Sequence, residues 1–361
     1  MDTRIADRPM PEATEAVRFT GTTAAWFRIW IVNLVLTILT LGIYSAWAKV
    51  RREQYFKRST LVAGRGFDYH ATGLQILIGR VVVIAAVVAL QILASLDPLL
   101  GLAALVPLVV LFPWLAIRSL RFNARNTSWS NVRFDFAGRY GDAFVTFVLA
   151  PVGVALTLYT TAPLLSRRIH RFYVAGHRLG TRAFLFGQGA AGYYIAAAVA
   201  VVWTLMVGTI AAAVAVGPIA QLALAAEGDA PLDPVRLGAL MAALYGGLIL
   251  GYYPAVVLFR AMTRNLMYAG TMLEGGHRFE STVHPLRVTW IAISNAAAVL
   301  ASLGLLLPWA QIRMTRYLAD NTLVHPDGAL DAIAGRIEED GRAIGDAYSD
   351  IEGIDFGGVG I

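Results

Sequence analysis

The sequence predicts an all-α polytopic integral membrane protein, built on degenerate internal repeats, with short cytoplasmic β-hairpins and an amphipathic C-terminal helix. Three observations carry that reading. Of 361 residues, 57% are hydrophobic and only 15% are charged, whereas a soluble domain is about 25% charged. Seven apolar stretches, at 26–48, 74–96, 99–117, 143–165, 190–217, 235–259 and 286–310, approach the roughly 20 residues that a helix needs to cross the hydrocarbon of a bilayer. No Asp or Glu interrupts any of them, and Arg or Lys gathers at their ends.

The elements follow in chain order. Residues 1–17 are a polar segment in which Asp2, Asp7, Glu12 and Glu15 mix with Arg4 and Arg8. It has no apolar core of the signal-peptide kind, so insertion is expected to use the internal segments. The membrane domain then runs over 18–326. Unpaired backbone is intolerable in lipid and strand alternation is absent from the apolar runs, so these are read as helices. Trp26, Trp30, Trp47, Trp290 and Trp309 lie near segment ends, as interfacial aromatics do.

Charge sets the topology. The connectors at 97–98 and 218–235 hold no Lys or Arg, and the second carries Glu227, Asp229 and Asp233. They belong outside the cytoplasm, which makes segments two and three one hairpin and five and six another. Segments one, four and seven are basic at both ends: Arg28 and Lys49 to Arg52 flank the first, Arg139 and Arg167 to Arg168 the fourth, Arg287 and Arg313 the seventh. If these three dip in and return, 29 of the 30 bases face the cytoplasm and only Arg236 lies outside. The positive-inside rule favours that re-entrant arrangement, although each segment is also long enough to cross.

Recurrence accounts for their likeness. Trp47-Ala48-Lys49-Val50-Arg51 with Tyr55 matches Trp309-Ala310-Gln311-Ile312-Arg313 with Tyr317, and Asn33 and Asn295 lie at equal distances upstream. The middle copy keeps Pro163, Arg168 and Phe172. A second motif fills the basic loops: Gly66-Phe67-Asp68-Tyr69, Arg133-Phe134-Asp135-Phe136, Ala183-Phe184-Leu185-Phe186 and Arg278-Phe279-Glu280. Alternating aromatic and polar residues after turn-formers predict short β-hairpins at the membrane surface.

The run Thr40-Leu41-Gly42-Ile43-Tyr44-Ser45-Ala46-Trp47-Ala48-Lys49-Val50-Arg51-Arg52 resembles the YjgN-like bacterial inner-membrane proteins. So do Phe67-Asp68-Tyr69-His70-Ala71-Thr72-Gly73 and Arg118-Ser119-Leu120-Arg121-Phe122-Asn123-Ala124-Arg125-Asn126-Thr127. The resemblance covers most of the chain and implies a multi-pass protein of the bacterial inner membrane. It brings no functional residue with it, and it implies a membrane-bound metallopeptidase or another inner-membrane protein as a partner.

The residues themselves argue against chemistry. There is no cysteine, no H-E-x-x-H, no nucleophile elbow and no phosphate loop. Catalytic, cofactor and metal residues are therefore expected to be none. The six histidines read as surface or interfacial groups. The apolar cores lack the carboxylates that ion-coupled transport uses. A pI near 9.6 reports topology rather than nucleic-acid binding. The candidate contacts are Arg51 with Tyr55, Arg168 with Phe172, and Arg313 with Tyr317, where guanidinium groups beside aromatics suit anionic lipid headgroups. Ordinary snorkelling gives the same pattern. Residues 327–361 hold nine acids and two bases. There Leu330, Ile337, Ile344 and Ile351 repeat every seven residues and predict an acidic amphipathic helix that docks on the basic face or on a partner. The function expected from all this is a non-enzymatic scaffold or partner subunit in contact with lipid; the alternative is a transporter of an anionic or amphiphilic solute.

Overall fold

A computed structural model describes residues 14–226, 233–328 and Gly335. Most of the acidic tail and of the N-terminal polar segment lies outside the described residues. Strands β1 (Glu15–Ala16) and β2 (Arg18–Phe19) lead into helices α1 (Thr23–Leu39) and α2 (Ser45–Arg58). Hairpin β3 (Thr60–Val62) and β4 (Arg65–Tyr69) precedes α3 (Gly73–Leu96) and α4 (Pro98–Arg125). Hairpin β5 (Thr127–Trp129) and β6 (Val132–Phe136) precedes α5 (Tyr140–Phe144), which continues through a π-helical turn into α6 (Ala150–Leu156), and then α7 (Ala162–Gly176). Hairpin β7 (His177–Leu179) and β8 (Arg182–Phe186) precedes α8 (Ala191–Ala226) and α9 (Pro234–Ala269). Hairpin β9 (Thr271–Leu273) and β10 (His277–Ser281) precedes α10 (Pro285–Ala301), α11 (Leu307–Asp320) and β11 (Thr322–His325).

The all-α expectation needs correction, because the loops form one eleven-stranded antiparallel sheet. The four motif-bearing hairpins are where the aromatic alternation placed them, but they pair with one another instead of standing alone. The ring closes through the N-terminus. Glu15–Ala16 pair with β11, Arg18–Phe19 pair with β3, and the Val17 amide between them donates to Thr322 O. A closed barrel leaves no free edge.

Register decides its interior. Phe67 faces Trp129, Phe134 faces Leu179, Phe184 faces Leu273 and Phe279 faces Val324 across the strands. With Val17, Val62 and Val132 they form one apolar cluster. Phe67, Phe134, Phe184 and Phe279 follow one another around it with centroids 5.9–6.4 Å apart. Charged residues take the other face, where Arg58 pairs with Asp68 and Arg125 with Asp135.

One local device starts each hairpin and β11. A polar side chain at the first strand residue bonds the helix carbonyl four residues back: Thr60 to Phe56, Thr127 to Asn123, Thr271 to Met267 and Thr322 to Leu318, all at 2.6–2.8 Å. His177 makes the corresponding bond to Tyr173 O at 2.6 Å through Nδ1. Each satisfies a carbonyl that the helix end would leave orphaned. The chain then enters the next helix through a cap; Thr72 with Gln75 forms a full capping box at α3.

Among the described residues, four helices, α3, α4, α8 and α9, are long and apolar enough to cross a membrane. They form two long hairpins. The α3–α4 turn is capped by Asp97, and Gly101 sits against Ala94, where a Cβ would approach within 2.6 Å. Among the glycines of α9, Gly247 sits against Ala211, Gly251 makes ordinary contact with Val207, and a Cβ at Gly246 would meet nothing within 4 Å.

The other three apolar stretches are not single helices. The stretch 26–48 breaks at 40–44, 143–165 at 157–161 and 286–310 at 302–306, each giving two short helices. The turns share one construction. Leu41, Leu158 and Leu303 take positive φ, and amides of Gly42, Tyr159 and Gly304 bond carbonyls five residues back at 2.7–2.8 Å. The hydroxyls of Thr40, Thr157 and Ser302 cap the same turns.

Candidate functional site

The six residues singled out from sequence divide by kind. The aromatics are structural. Tyr55 Oη accepts from the Thr22 amide at 2.8 Å and donates to Thr22 O, while its ring stacks on Trp26. Tyr317 Oη accepts from the His284 amide at 3.1 Å. In both cases a tyrosine on the second helix of a short hairpin holds the N-cap of the first. Phe172 lacks that hydroxyl and is buried against Phe136 and Phe147.

The arginines differ from one another. Arg51 lies over the Tyr44 ring at 5.6 Å, and Arg168 donates to Thr146 Oγ1 at 3.1 Å. Arg313 donates to Ser294 Oγ at 2.8 Å and Asn295 Oδ1 at 3.0 Å, and it lies over the Trp309 ring. Asn295 in turn donates to Ala310 O, bracing α10 against α11. The buried Asn33, its counterpart in the first hairpin, has an Oδ1 without a hydrogen-bond partner.

Arg313 and Tyr317 line a cavity of about 470 Å³ between α10, α11 and the start of α1. Arg287, Arg316, Trp290, Trp309 and Asp320 line it too. Arg316 donates to Gly21 O at 2.9 Å, and Arg287 stacks over Tyr317. Among the described residues none of these three arginines forms a salt bridge, so their charge is balanced within the cavity only by Asp320. Arg287, Arg316 and Asp320 lie within about 6 Å of the barrel ends of their helices, and Trp309 about 16 Å along, at 1.5 Å per residue. Trp290 lies about 8 Å along and Arg313 about 11 Å, so charge and indole interleave, with Trp309 the deepest. Sequence reasoning had found Arg313 and Tyr317; Arg287, Arg316 and the tryptophans were visible only as flanking residues, because the cavity needs α10 and α11 folded together.

A second cavity, about 630 Å³, lies between α7, α8 and α9. Ser166, His170, Arg260 and Thr263 line it, as do Ala200, Val201, Thr204, Leu205, Tyr252 and Val256. Burial holds the His170 imidazole below its ordinary pKa, and Nδ1 lies 2.8 Å from Tyr193 Oη. The histidines expected at the surface include two buried ones. His277 receives the Asp327 amide, and His325 bonds Glu280 and Thr14. Among the described residues no three His, Asp or Glu gather as a metal site.

A family described as bacterial protein of unknown function (DUF898) matches residues 14–351. The inner membrane protein YjgN of Salmonella typhimurium (strain LT2) is 26% identical over 87% of this chain and 89% of its own length. The proteins of that name from Escherichia coli O157:H7 and Escherichia coli (strain K12) are 34% and 33% identical, over 42% and 41% of this chain and 38% of their own lengths. No solved structure matches.

Proposed function

The chain belongs to the DUF898 family, an inner-membrane lineage of unknown activity, and from that premise we propose that it is a non-enzymatic membrane scaffold that holds anionic phospholipid headgroups at the foot of its barrel. The observation that carries this reading is the α10–α11 cavity. Three arginines without salt bridges share it with two tryptophans, Trp309 the deepest, which suits a phosphate bound by guanidinium with its acyl chains against indole. The barrel supplies the scaffold: every described helix hangs from a strand of one closed ring. We infer also that the helix–hairpin–helix units are degenerate copies of one element. In support, the first-strand side chain makes the same backward bond in all four, and again at β11.

The three short hairpins are re-entrant in this reading. Both ends of each join the same sheet, and the tip leucines Leu41, Leu158 and Leu303 are 95%, 85% and 94% exposed. An apolar tip with its turn amides bonded internally suits hydrocarbon. Positive-inside counting puts the barrel in the cytoplasm. The headgroup reading is tested by purifying the full chain and the Arg287→Ala/Arg313→Ala/Arg316→Ala variant from the same membranes and measuring retained phospholipid by native mass spectrometry. The expected result is loss of phosphatidylglycerol relative to phosphatidylethanolamine in the variant; equal retention would reject it.

The cavity between α7, α8 and α9 supports the other reading, a transporter of an anionic amphiphile, since it sets Arg260 and His170 in a mostly apolar wall. Arg260-dependent flux of a fluorescent fatty acid in proteoliposomes would favour it.

A further inference from the structure

The helices are distributed unequally across the thickness of the bilayer. Among the described residues, ten helical rods hang from the barrel, counting α5 to α6 as one, and only α3, α4, α8 and α9 have the length to reach the far side. The short rods stop early. From Arg28 to Leu39 is eleven residues, and from Arg287 to Ala301 fourteen, so their ends lie about 17–21 Å beyond those arginines, near the middle of a core about 30 Å thick. A rod 10–12 Å across occupies roughly 80–110 Å². Six additional rods therefore add about 500–650 Å² to one leaflet and nothing to the other.

This shape is braced against collapse. The barrel is closed, so the rods cannot spread or gather freely at their upper ends. Trp26 Nε1 donates to Gln311 Oε1 at 2.7 Å and ties α1 to α11 across the seam between the chain termini. Asn295 ties α10 to α11 part of the way down, through Ala310 O and Arg313. The tips satisfy their own backbone amides, so they need no partner in the membrane core.

Resting on the re-entrant reading above, we propose that the protein is a one-sided wedge that recognises membrane curvature, favouring lipid surfaces whose barrel-side leaflet is convex. Lipid acyl chains are the occupant that the tips require: Leu39, Leu41, Leu156, Leu158, Leu300 and Leu303 are all strongly exposed and apolar. Expansion of the barrel-side leaflet accommodates the extra cross-section, and expansion of the opposite leaflet worsens the mismatch. With the barrel in the cytoplasm, the wedge favours membrane that bulges toward the cytoplasm.

The test is reconstitution of the full chain, carrying Thr181→Cys at a hairpin tip, into a mixture of small sonicated and large extruded vesicles of phosphatidylethanolamine and phosphatidylglycerol. Impermeant maleimide identifies the barrel-outward molecules, and single-vesicle fluorescence gives protein per lipid against vesicle size. The expected result is a several-fold enrichment of barrel-outward molecules in small vesicles and a depletion of barrel-inward ones. Equal densities, or the same trend for both orientations, overturn the wedge. A second label at Ser130→Cys separates the two failures. If Thr181 and Ser130 lie on opposite faces, re-entrance has failed and the wedge with it; if they share a face and no sorting occurs, the wedge alone has failed.

Discussion

The long and short helical hairpins hang from the same ring, yet they are stabilised differently. In the long ones the two helices pack on each other, with Gly101 against Ala94 and Gly247 against Ala211, the small-residue contact that membrane helices use in place of hydrophobic driving force. In the short ones the helices also lean on what surrounds them: Tyr55 and Tyr317 hold caps beside the barrel, and Trp26 reaches across to Gln311. Asp97 and Asp233 cap the starts of α4 and α9 at the far ends of the long hairpins, whereas the short ones end in bare leucine. On the re-entrant reading, lipid and small residues suffice to hold a crossing pair, whereas a pair that turns back inside the membrane needs an anchored top and a turn that wants no water.

The strongest way to break that contrast is to charge the tips. Leu303→Asp places a carboxylate where the re-entrant reading puts hydrocarbon, at a cost of about 2.5–3.5 kcal/mol near the bilayer centre. Leu96→Asp, beside Asp97 at the long α3–α4 turn, lies at an aqueous surface and is expected to change stability by about 0.5 kcal/mol or less. Thermal unfolding of both variants in nanodiscs measures the difference. Equal effects would place the short tips in water.

That expectation also marks what was legible in the sequence. All seven apolar stretches could be read, and the basic flanks pointed to three of them as exceptional. The break inside each stretch was legible only in part: the helix weakeners Gly42 and Gly304 take positive φ in two of the turns, whereas the third runs through Leu158 and Tyr159 without a glycine, and hydropathy does not register φ. The strands were half visible: the aromatic alternation of Phe67 to Tyr69 and Phe134 to Phe136 marked their location. Their closure was hidden, because Glu15 to Phe19 form too short a strand to show period two, and the partners of Glu15 and Ala16 lie some 300 residues away. The cavity was seen through Arg313 and Tyr317, while Arg287 and Trp290 join it only when α10 folds back on α11.

A milder test compares glycines. A Cβ at Gly247 would lie 2.6 Å from the Ala211 Cβ, whereas one at Gly153 in the fourth apolar stretch meets nothing within 4 Å. Gly247→Val is expected to destabilise by about 1–3 kcal/mol through overpacking. Gly153→Val is expected to stay within about 0.5 kcal/mol, the usual range away from packed contacts. Retention of the folded peak in size exclusion after graded heating ranks the two. If Gly153→Val were the worse, the short hairpin would have to be packed on a surface that the described residues do not supply.

At the strand starts the two kinds of hairpin should not differ. Thr60 follows a short hairpin and Thr271 a long one, and each hydroxyl satisfies one carbonyl at the end of the preceding helix. Valine keeps the shape and removes the bond, so Thr60→Val and Thr271→Val should each cost about 0.5–1.5 kcal/mol. Unfolding midpoints for the two variants should fall together. A selective effect of Thr271→Val would mean that the barrel relies on the long hairpins more than on the short.

The smallest expected effect lies on the outer barrel face. Arg58 Nε is 2.8 Å from Asp68 Oδ1, and Arg125 Nε is 2.8 Å from Asp135 Oδ1. The Arg58 hydrogen bond, helped by the Tyr69 amide, holds the Asp68 carboxyl below its ordinary value of 3.8. A carboxyl lowered by folding contributes its stability above the unfolded pKa and loses it as pH falls through the folded one. Between pH 7 and about pH 5 the pair should therefore change nothing, and its contribution should fade only in more acidic solution. Both partners are substantially exposed, so the contribution is that of a surface ion pair, about 0–1 kcal/mol and weaker in high salt. Comparing Asp68→Asn with the parent chain by thermal unfolding at neutral and acidic pH isolates it: a small gap at pH 7 should close on acidification. A gap that persists in acid would show that Asp68 matters through its bond with the Tyr69 amide, which Asn keeps only in part, and not through charge. The barrel face would then owe its order to backbone bonds throughout, as the helix ends already do.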